Sequence, residues 1–316
     1  MQSMRDLLRK VFGYSSFRRG QEEIVTSIAD GSDTLGILPT GGGKSLCYQL
    51  PALMRPGVTL VVSPLISLMK DQVDSLGALG VPSTFINSSL TRKQSLERLE
   101  GLAEGRYKIV YIAPERLESE SFLDALRHIS VPILAVDEAH CISQWGHDFR
   151  PSYLHISRLL DVLPERPVVA AFTATATDKV RRDIIERLRM RQPHVVKTGY
   201  ARDNLRFSIV KGVDKRAYLL EFLRSRRGES GIIYAATRKE VDQIHDHLSK
   251  AGFSVGKYHA GMTERKRKES QDAFLFDRTE TMVATNAFGM GIDKSNVCLF
   301  RFTVEYLRDT KDVDNF

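Results

Sequence analysis

Three features of the sequence predict an α/β protein built as two domains, each a mainly parallel sheet flanked by helices. Short apolar runs alternate with amphipathic stretches of helix length. Those runs are apolar throughout rather than at every second residue, the pattern of parallel strands buried on both faces. The strand-then-helix series also starts twice within 316 residues, more than one core of ordinary size holds.

In order along the chain, strands are predicted over residues 34–38, 58–62, 108–112, 131–136 and 168–172. Amphipathic helices are predicted over 65–79 and 92–104, with glycine or proline punctuation between. A second series predicts strands over 206–210, 231–235 and 281–284, with a helix over 238–251. The pattern breaks near 198–204, at polar residues and Gly199, which divides the chain into 1–203 and 204–316.

Composition narrows the function classes. A hydrophobic share of 42% and a charged share of 27% fit a globular protein, and no apolar run approaches the roughly 18 residues of a membrane span. The first residues mix Arg5, Asp6, Arg9 and Lys10 with apolar residues and show no signal-peptide core. A cytoplasmic, bacterial-type and nucleoid-associated location is expected, with no membrane partner. Cys47, Cys141 and Cys298 stand far apart with no paired spacing, so neither disulfides nor zinc are predicted. The net charge of +7 favours a polyanionic partner.

The segment Leu38-Pro-Thr-Gly-Gly-Gly-Lys-Ser45 follows a predicted strand and precedes a helical stretch over 46–53, the setting of a phosphate-binding loop. Glycine permits backbone amides to curl around phosphate, and the helix start adds positive potential. Thr40, Gly41, Gly42, Gly43, Lys44 and Ser45 are therefore candidate nucleotide contacts. Lys44 is placed on the outer phosphates and the Ser45 hydroxyl on Mg²⁺, although Leu38 stands where the strict signature has its first glycine.

Asp137-Glu-Ala-His140 ends the strand predicted over 131–136, at the edge where open α/β sheets bind ligands. Asp137 can hold Mg²⁺ through its water shell, and Glu138 can orient and polarise an attacking water. Lys44, Asp137, Glu138 and His140 are the catalytic candidates. The implied ligands are ATP and Mg²⁺.

With these pieces in order, the chain resembles a superfamily 2 helicase with two RecA-like domains. Phe12-Gly-Tyr14, Phe17-Arg18 and Gln21 look like the adenine-recognition motif. The resemblance implies that Tyr14 stacks on the base, that Gln21 bonds its edge and that Arg18 belongs to the same site. Val61-Val-Ser-Pro-Leu-Ile-Ser-Leu-Met-Lys70 and Ala113-Pro-Glu-Arg-Leu117 look like nucleic-acid contacts, and Thr173-Ala-Thr175 like the coupling motif. The most specific piece is Cys141-Ile-Ser-Gln-Trp-Gly-His-Asp-Phe-Arg-Pro151, which holds the single Trp of the chain and resembles the aromatic-rich loop of RecQ helicases. Trp145 and Phe149 offer flat faces to unstacked bases and Arg150 offers charge. Ser143, Gln144, His147 and Asp148 are expected to link back to the nucleotide site.

Later segments, Gly231-Ile-Ile-Tyr-Ala-Ala-Thr-Arg238, Tyr258-His-Ala-Gly-Met262 and Val283-Ala-Thr-Asn-Ala-Phe-Gly-Met-Gly-Ile-Asp-Lys294, resemble the second-domain motifs. In the family, Thr285, Gly289, Gly291 and Asp293 would lie at the interdomain cleft. The resemblance implies an ATP-dependent 3′-to-5′ DNA helicase acting on single-stranded and partly duplex DNA.

Beyond Val297 the resemblance stops. The family continues into a Gln-x-x-Gly-Arg-x-Gly-Arg motif whose arginines reach the γ-phosphate, whereas this sequence has no such motif. Arg301 and Arg308 lack that glycine context, and the alternation of Phe300, Phe302, Val304 and Tyr306 reads as an edge strand. The second RecA-like domain is thus expected to be incomplete, through truncation, a frameshift or fragmentation. Weak turnover is expected with it, which leaves a catalytically weak ATP- and DNA-binding fragment as the alternative. The run Arg265-Lys-Arg-Lys268 reads as a solvated helix face, and His245 and His247 diverge on a helix, so they cannot share a metal.

Overall fold

The computed structural model describes residues 4–146, 148–199, 208–286, 288, 294 and 296–303. The chain divides into two units, Met1–Asn204 and Leu205–Phe316.

In the first unit, α1 (Met4–Phe12) and α2 (Gln21–Ala29) precede β1 (Thr34–Ile37), α3 (Lys44–Met54), β2 (Thr59–Val62) and α4 (Ile66–Ala78). There follow β3 (Ser83–Ile86), α5 (Arg92–Ala103), β4 (Ile109–Ile112), α6 (Glu120–Leu126) and β5 (Ile133–Val136). The unit closes with α7 (Ile156–Val162), β6 (Val168–Thr173), α8 (Asp178–Arg187) and β7 (His194–Lys197). The seven strands lie in the order β3-β4-β2-β5-β6-β1-β7, and every pairing between them is parallel.

Continuous apolarity follows directly from that order. The central strands β1, β2, β4, β5 and β6 are buried at every position. Leu35, Val62, Val110, Leu134 and Val169 pack into one layer with Phe122, Tyr153 and Ile184. Val61, Ile109, Ile133 and Phe172 pack into the opposite layer with Tyr48, Met69 and Leu76. Because β2, β5, β6 and β1 are neighbours, the segments leaving their C-terminal ends lie side by side.

The second unit runs α9 (Lys215–Arg224), β8 (Ser230–Ala235), α10 (Arg238–Lys250), β9 (Val255–Tyr258), α11 (Glu264–Leu275), β10 (Thr281–Ala284) and β11 (Val297–Thr303). Its strands order as β11-β8-β10-β9, again in parallel. One face packs Leu219, Leu223, Val241 and Leu248, and the other Phe274, Met282 and Phe288. Asp214, Thr237 and Thr263 cap the three helices through bonds to backbone amides, each cap contributing about 1 kcal/mol.

The strand expected over 206–210 is a correction. Residues 206 and 207 lie outside the described residues, and 208–210 form no strand. The apolar residues that prompted the reading, Ile209 and Val210, are exposed. Apolarity without a sheet neighbour to bond does not make a strand. Among the described residues, no helix is long and apolar enough to cross a membrane.

Candidate nucleotide and nucleic-acid site

β1 hands the chain directly to the glycine loop, where Leu38 N donates to the Thr173 carbonyl at 3.1 Å and Gly42 N to the Pro39 carbonyl at 2.8 Å. Gly43 starts α3 with φ 76°, a left-handed conformation that glycine adopts without strain, and no side chain caps the helix. The first-turn amides of α3 are thus left to an anion. A Cβ at Gly43 would lie 2.3 Å from Gln21 Nε2. That amide donates to the Gly42 and Gly43 carbonyls at 3.2 and 3.1 Å, while Gln21 Oε1 accepts from Arg18 N at 2.8 Å. The Arg18 guanidinium donates to the Gly41 carbonyl. In this structure Gln21 and Arg18 therefore brace the loop itself, beneath the exposed Thr40. Tyr14 is exposed.

Across the sheet edge, Asp137 leaves β5 with its N–H bonded to the Val62 carbonyl at 2.9 Å and its carbonyl accepting from Tyr153 Oη at 2.9 Å. Glu138 follows in the left-handed region at φ 45°, a strained position for a non-glycine residue. Its Oε1 stands 3.2 Å from Lys44 Nζ, and its Oε2 lies 3.3 Å from His140 Nδ1. Burial, and then the charge of Glu138, raise the Asp137 carboxyl to about 6 against the opposing pull of Lys44.

A divalent cation fits this arrangement, because a buried carboxyl beside a second acid gains from a positive neighbour. Among the described residues no three His, Cys, Asp or Glu side chains cluster as a metal site. The residues expected from the sequence to hold Mg²⁺ are Ser45 and Asp137.

His140 carries the link onward. Thr173 Oγ1 gives its proton to the Thr175 carbonyl at 2.9 Å, so it accepts from His140 Nδ1 at 3.0 Å and from Thr175 N at 3.3 Å. This chain of contacts joins Lys44, Glu138, His140 and Thr173 across the ends of β1, β5 and β6.

The loop that follows is held close to the same edge. Arg150 N donates to the Cys141 carbonyl at 2.9 Å, and Arg150 Nη1 to the Pro64 carbonyl at 3.0 Å, beyond β2. Burial works against the Asp148 charge, but the bonds and charge of Arg150 outweigh it and hold this carboxyl below its ordinary value. A Cβ at Gly146 would meet the His140 carbonyl at 2.5 Å, so the loop folds back onto the histidine backbone. Trp145 is 64% exposed, Gln144 is exposed and Phe149 is half-buried.

The polar links differ in part from the expectation. Ser143 Oγ donates to Asp183 Oδ2 of α8 at 2.6 Å, and Asp148 pairs with Arg150 rather than with the glycine loop. The route back runs through His140 and Thr173. His147 lies outside the described residues, as do Gly289, Gly291 and Asp293. Thr285 is described, its N–H bonded to the Tyr258 carbonyl at 3.2 Å in the second unit.

The family model for the DEAD/DEAH box helicase matches residues 18–184, which span the glycine loop, the acid pair and the Trp loop. The chain belongs to the DEAD/DEAH box helicases. The model of the helicase conserved C-terminal domain matches residues 214–302. Within the DEAD/DEAH box helicases its similarity is to RecQ sequences. It is 50% identical to the ATP-dependent DNA helicase RecQ of Bacillus subtilis (strain 168), over 98% of this chain and 52% of the relative. It is 45% identical to the protein of the same name from Pasteurella multocida, over 96% of this chain and 48% of the relative. The chain thus spans about half the length of the curated relatives it matches. Among solved structures, S. cerevisiae Dbp5 bound to RNA and ADP BeF3 matches with a TM-score of 0.70 at 19% identity, over 93% of this chain and 77% of that one. The DUF1998 helicase MrfA bound to DNA matches with a TM-score of 0.72 at 16% identity, over 96% and 44%. At those identities the likeness establishes the fold, two RecA-like units with parallel sheets.

In this DEAD/DEAH box frame, some participants carried no signal in the sequence. Tyr153 supports Asp137 from a 3₁₀ turn, and Lys179 and Asp183 touch the loop from α8. Each acts through tertiary proximity alone, which spacing along a single chain does not reveal.

Proposed function

We propose that this chain is the motor portion of a RecQ-type DNA helicase, which couples ATP hydrolysis to 3′-to-5′ movement on single-stranded DNA and to duplex unwinding. The observation that supports it most is the contact chain from Lys44 through Glu138 and His140 to Thr173, with the Trp145 loop folded onto the same histidine. The name of the 50% identical relative supports ATP and DNA as ligands.

In this reading Tyr14 stacks on adenine, and the amides of residues 41–45 with Lys44 hold the phosphates. Mg²⁺, when bound at Ser45 and Asp137, neutralises developing phosphate charge. Lys44 and Glu138 now neutralise one another. When Lys44 turns to phosphate, Glu138 is released to orient water and take its proton. His140, hydrogen-bonded to Thr173, senses that release and transmits it to the loop, where Trp145 and Phe149 meet bases and Arg150 supports the loop from Pro64.

The 316 residues contain no Gln-x-x-Gly-Arg-x-Gly-Arg motif, and an arginine finger contributes about three to five orders of magnitude to phosphoryl transfer in related enzymes. Assayed by itself, this chain is therefore expected to bind ATP and DNA well and to turn over slowly. ATP hydrolysis measured with and without single-stranded DNA, against Lys44→Ala, tests this. Slow turnover above the Lys44→Ala background that rises with DNA is the expected result. Turnover equal to that background would leave a binding fragment without a motor.

A further inference from the structure

Lys179 and Asp183 stand four residues apart on α8, so their side chains leave one face of the helix. Both reach the Trp loop. Asp183 accepts from Ser143 Oγ at 2.6 Å, and the same Ser143 Oγ accepts from Trp145 N at 3.2 Å, which fixes the base of the loop. Lys179 Nζ lies 3.0 Å from the centroid of the Trp145 ring. The helix is held in place by its Thr177 cap, which accepts from Val180 N, and by the buried Val180 and Ile184 on its core side.

A base cannot stack where an ammonium already sits. Trp145 is 64% exposed, yet one face of its ring is covered by a charge that attracts it. Lys179 is exposed and forms no ion pair among the described residues, so its charge is free to move to a DNA phosphate once the ring is taken.

We propose that this face of α8 is a two-point latch on the nucleic-acid loop: Asp183 is the fixed point, and Lys179 is a releasable cover that single-stranded DNA must displace from Trp145. This rests on the reading of the loop as a single-strand contact. Lys179 is a gating residue in it, exchanging a ring for a phosphate. The latch keeps the loop in its DNA-free arrangement and makes base stacking, rather than charge alone, the event that releases it.

Because Trp145 is the single Trp of the chain, its fluorescence reports on the latch without a label. The experiment titrates oligothymidylate into the 316-residue chain, Lys179→Met and Lys179→Arg over a salt series, and measures acrylamide quenching of each free protein. Methionine keeps the length of the side chain and removes the charge, while arginine keeps the charge. The latch predicts easier quenching in Lys179→Met and unchanged quenching in Lys179→Arg. It also predicts that Lys179→Met binds about threefold tighter than the parent at high salt, the scale of an exposed cation–π contact. Its salt slope should fall by about one, for the lost phosphate contact. Equal quenching, or equal or weaker high-salt affinity in Lys179→Met while the parent's Trp145 responds to DNA, overturns the latch alone. A parent whose Trp145 emission ignores oligothymidylate overturns the loop reading and the latch together.

Discussion

Asp137 shows how the site trades stability for a ligand. Its carboxyl is buried against Glu138 and is raised to about 6, so the fold favours its neutral form. A raised carboxyl supports the fold fully below its ordinary range, and that support is lost as pH rises through about 6. Asp137→Asn, neutral at every pH, escapes the loss. The variant should exceed the nucleotide-free parent in stability by about 3 kcal/mol near neutral pH, and by little in acid. Urea unfolding across pH measures this. Mg²⁺-dependent nucleotide binding should weaken in the same variant. Equal stability of the two proteins at neutral pH would show that Asp137 is not held under electrostatic pressure.

Between elements, the decisive contact joins the ends of β5 and β6. Thr173 is fully buried and its hydroxyl accepts from His140 and from Thr175. Thr173→Val keeps the shape and removes that acceptor, at about 1 to 3 kcal/mol for the polar groups left without it. ATP affinity should hold while the effect of DNA on turnover disappears, as read by steady-state hydrolysis with and without oligothymidylate. The same scale explains what was legible in the sequence. Strands β1, β2, β4, β5 and β6, buried on both faces, stood out as unbroken apolar runs. Strands β3, β7 and β9 did not, and each is the edge of its sheet. Ser83–Ile86 alternates half-buried with buried, and His194–Lys197 buries only Val196. An edge strand needs to be apolar on fewer positions, so its pattern fades into that of a loop. β11, also an edge, was readable through its alternating phenylalanines.

At the scale of the whole molecule, the candidate site residues were legible where the proposed chemistry demands a residue type and opaque where geometry alone recruits one. Lys44 and Glu138, 94 residues apart, meet because β1 and β5 flank β6 in one parallel sheet. Lys179 and Asp183 meet the loop only because α8 returns beside it, and a lysine and an aspartate on a helix carry no mark of that. Under the proposed function, nucleotide and single-stranded DNA are felt by one connected network in the first unit. The direct test is the affinity of oligothymidylate, from Trp145 emission, with and without a non-hydrolysable ATP analogue and Mg²⁺, together with the reciprocal titration. A coupling of at least about fivefold, equal in both directions and absent in Thr173→Val, is the predicted result. Two affinities that ignore one another would contradict it.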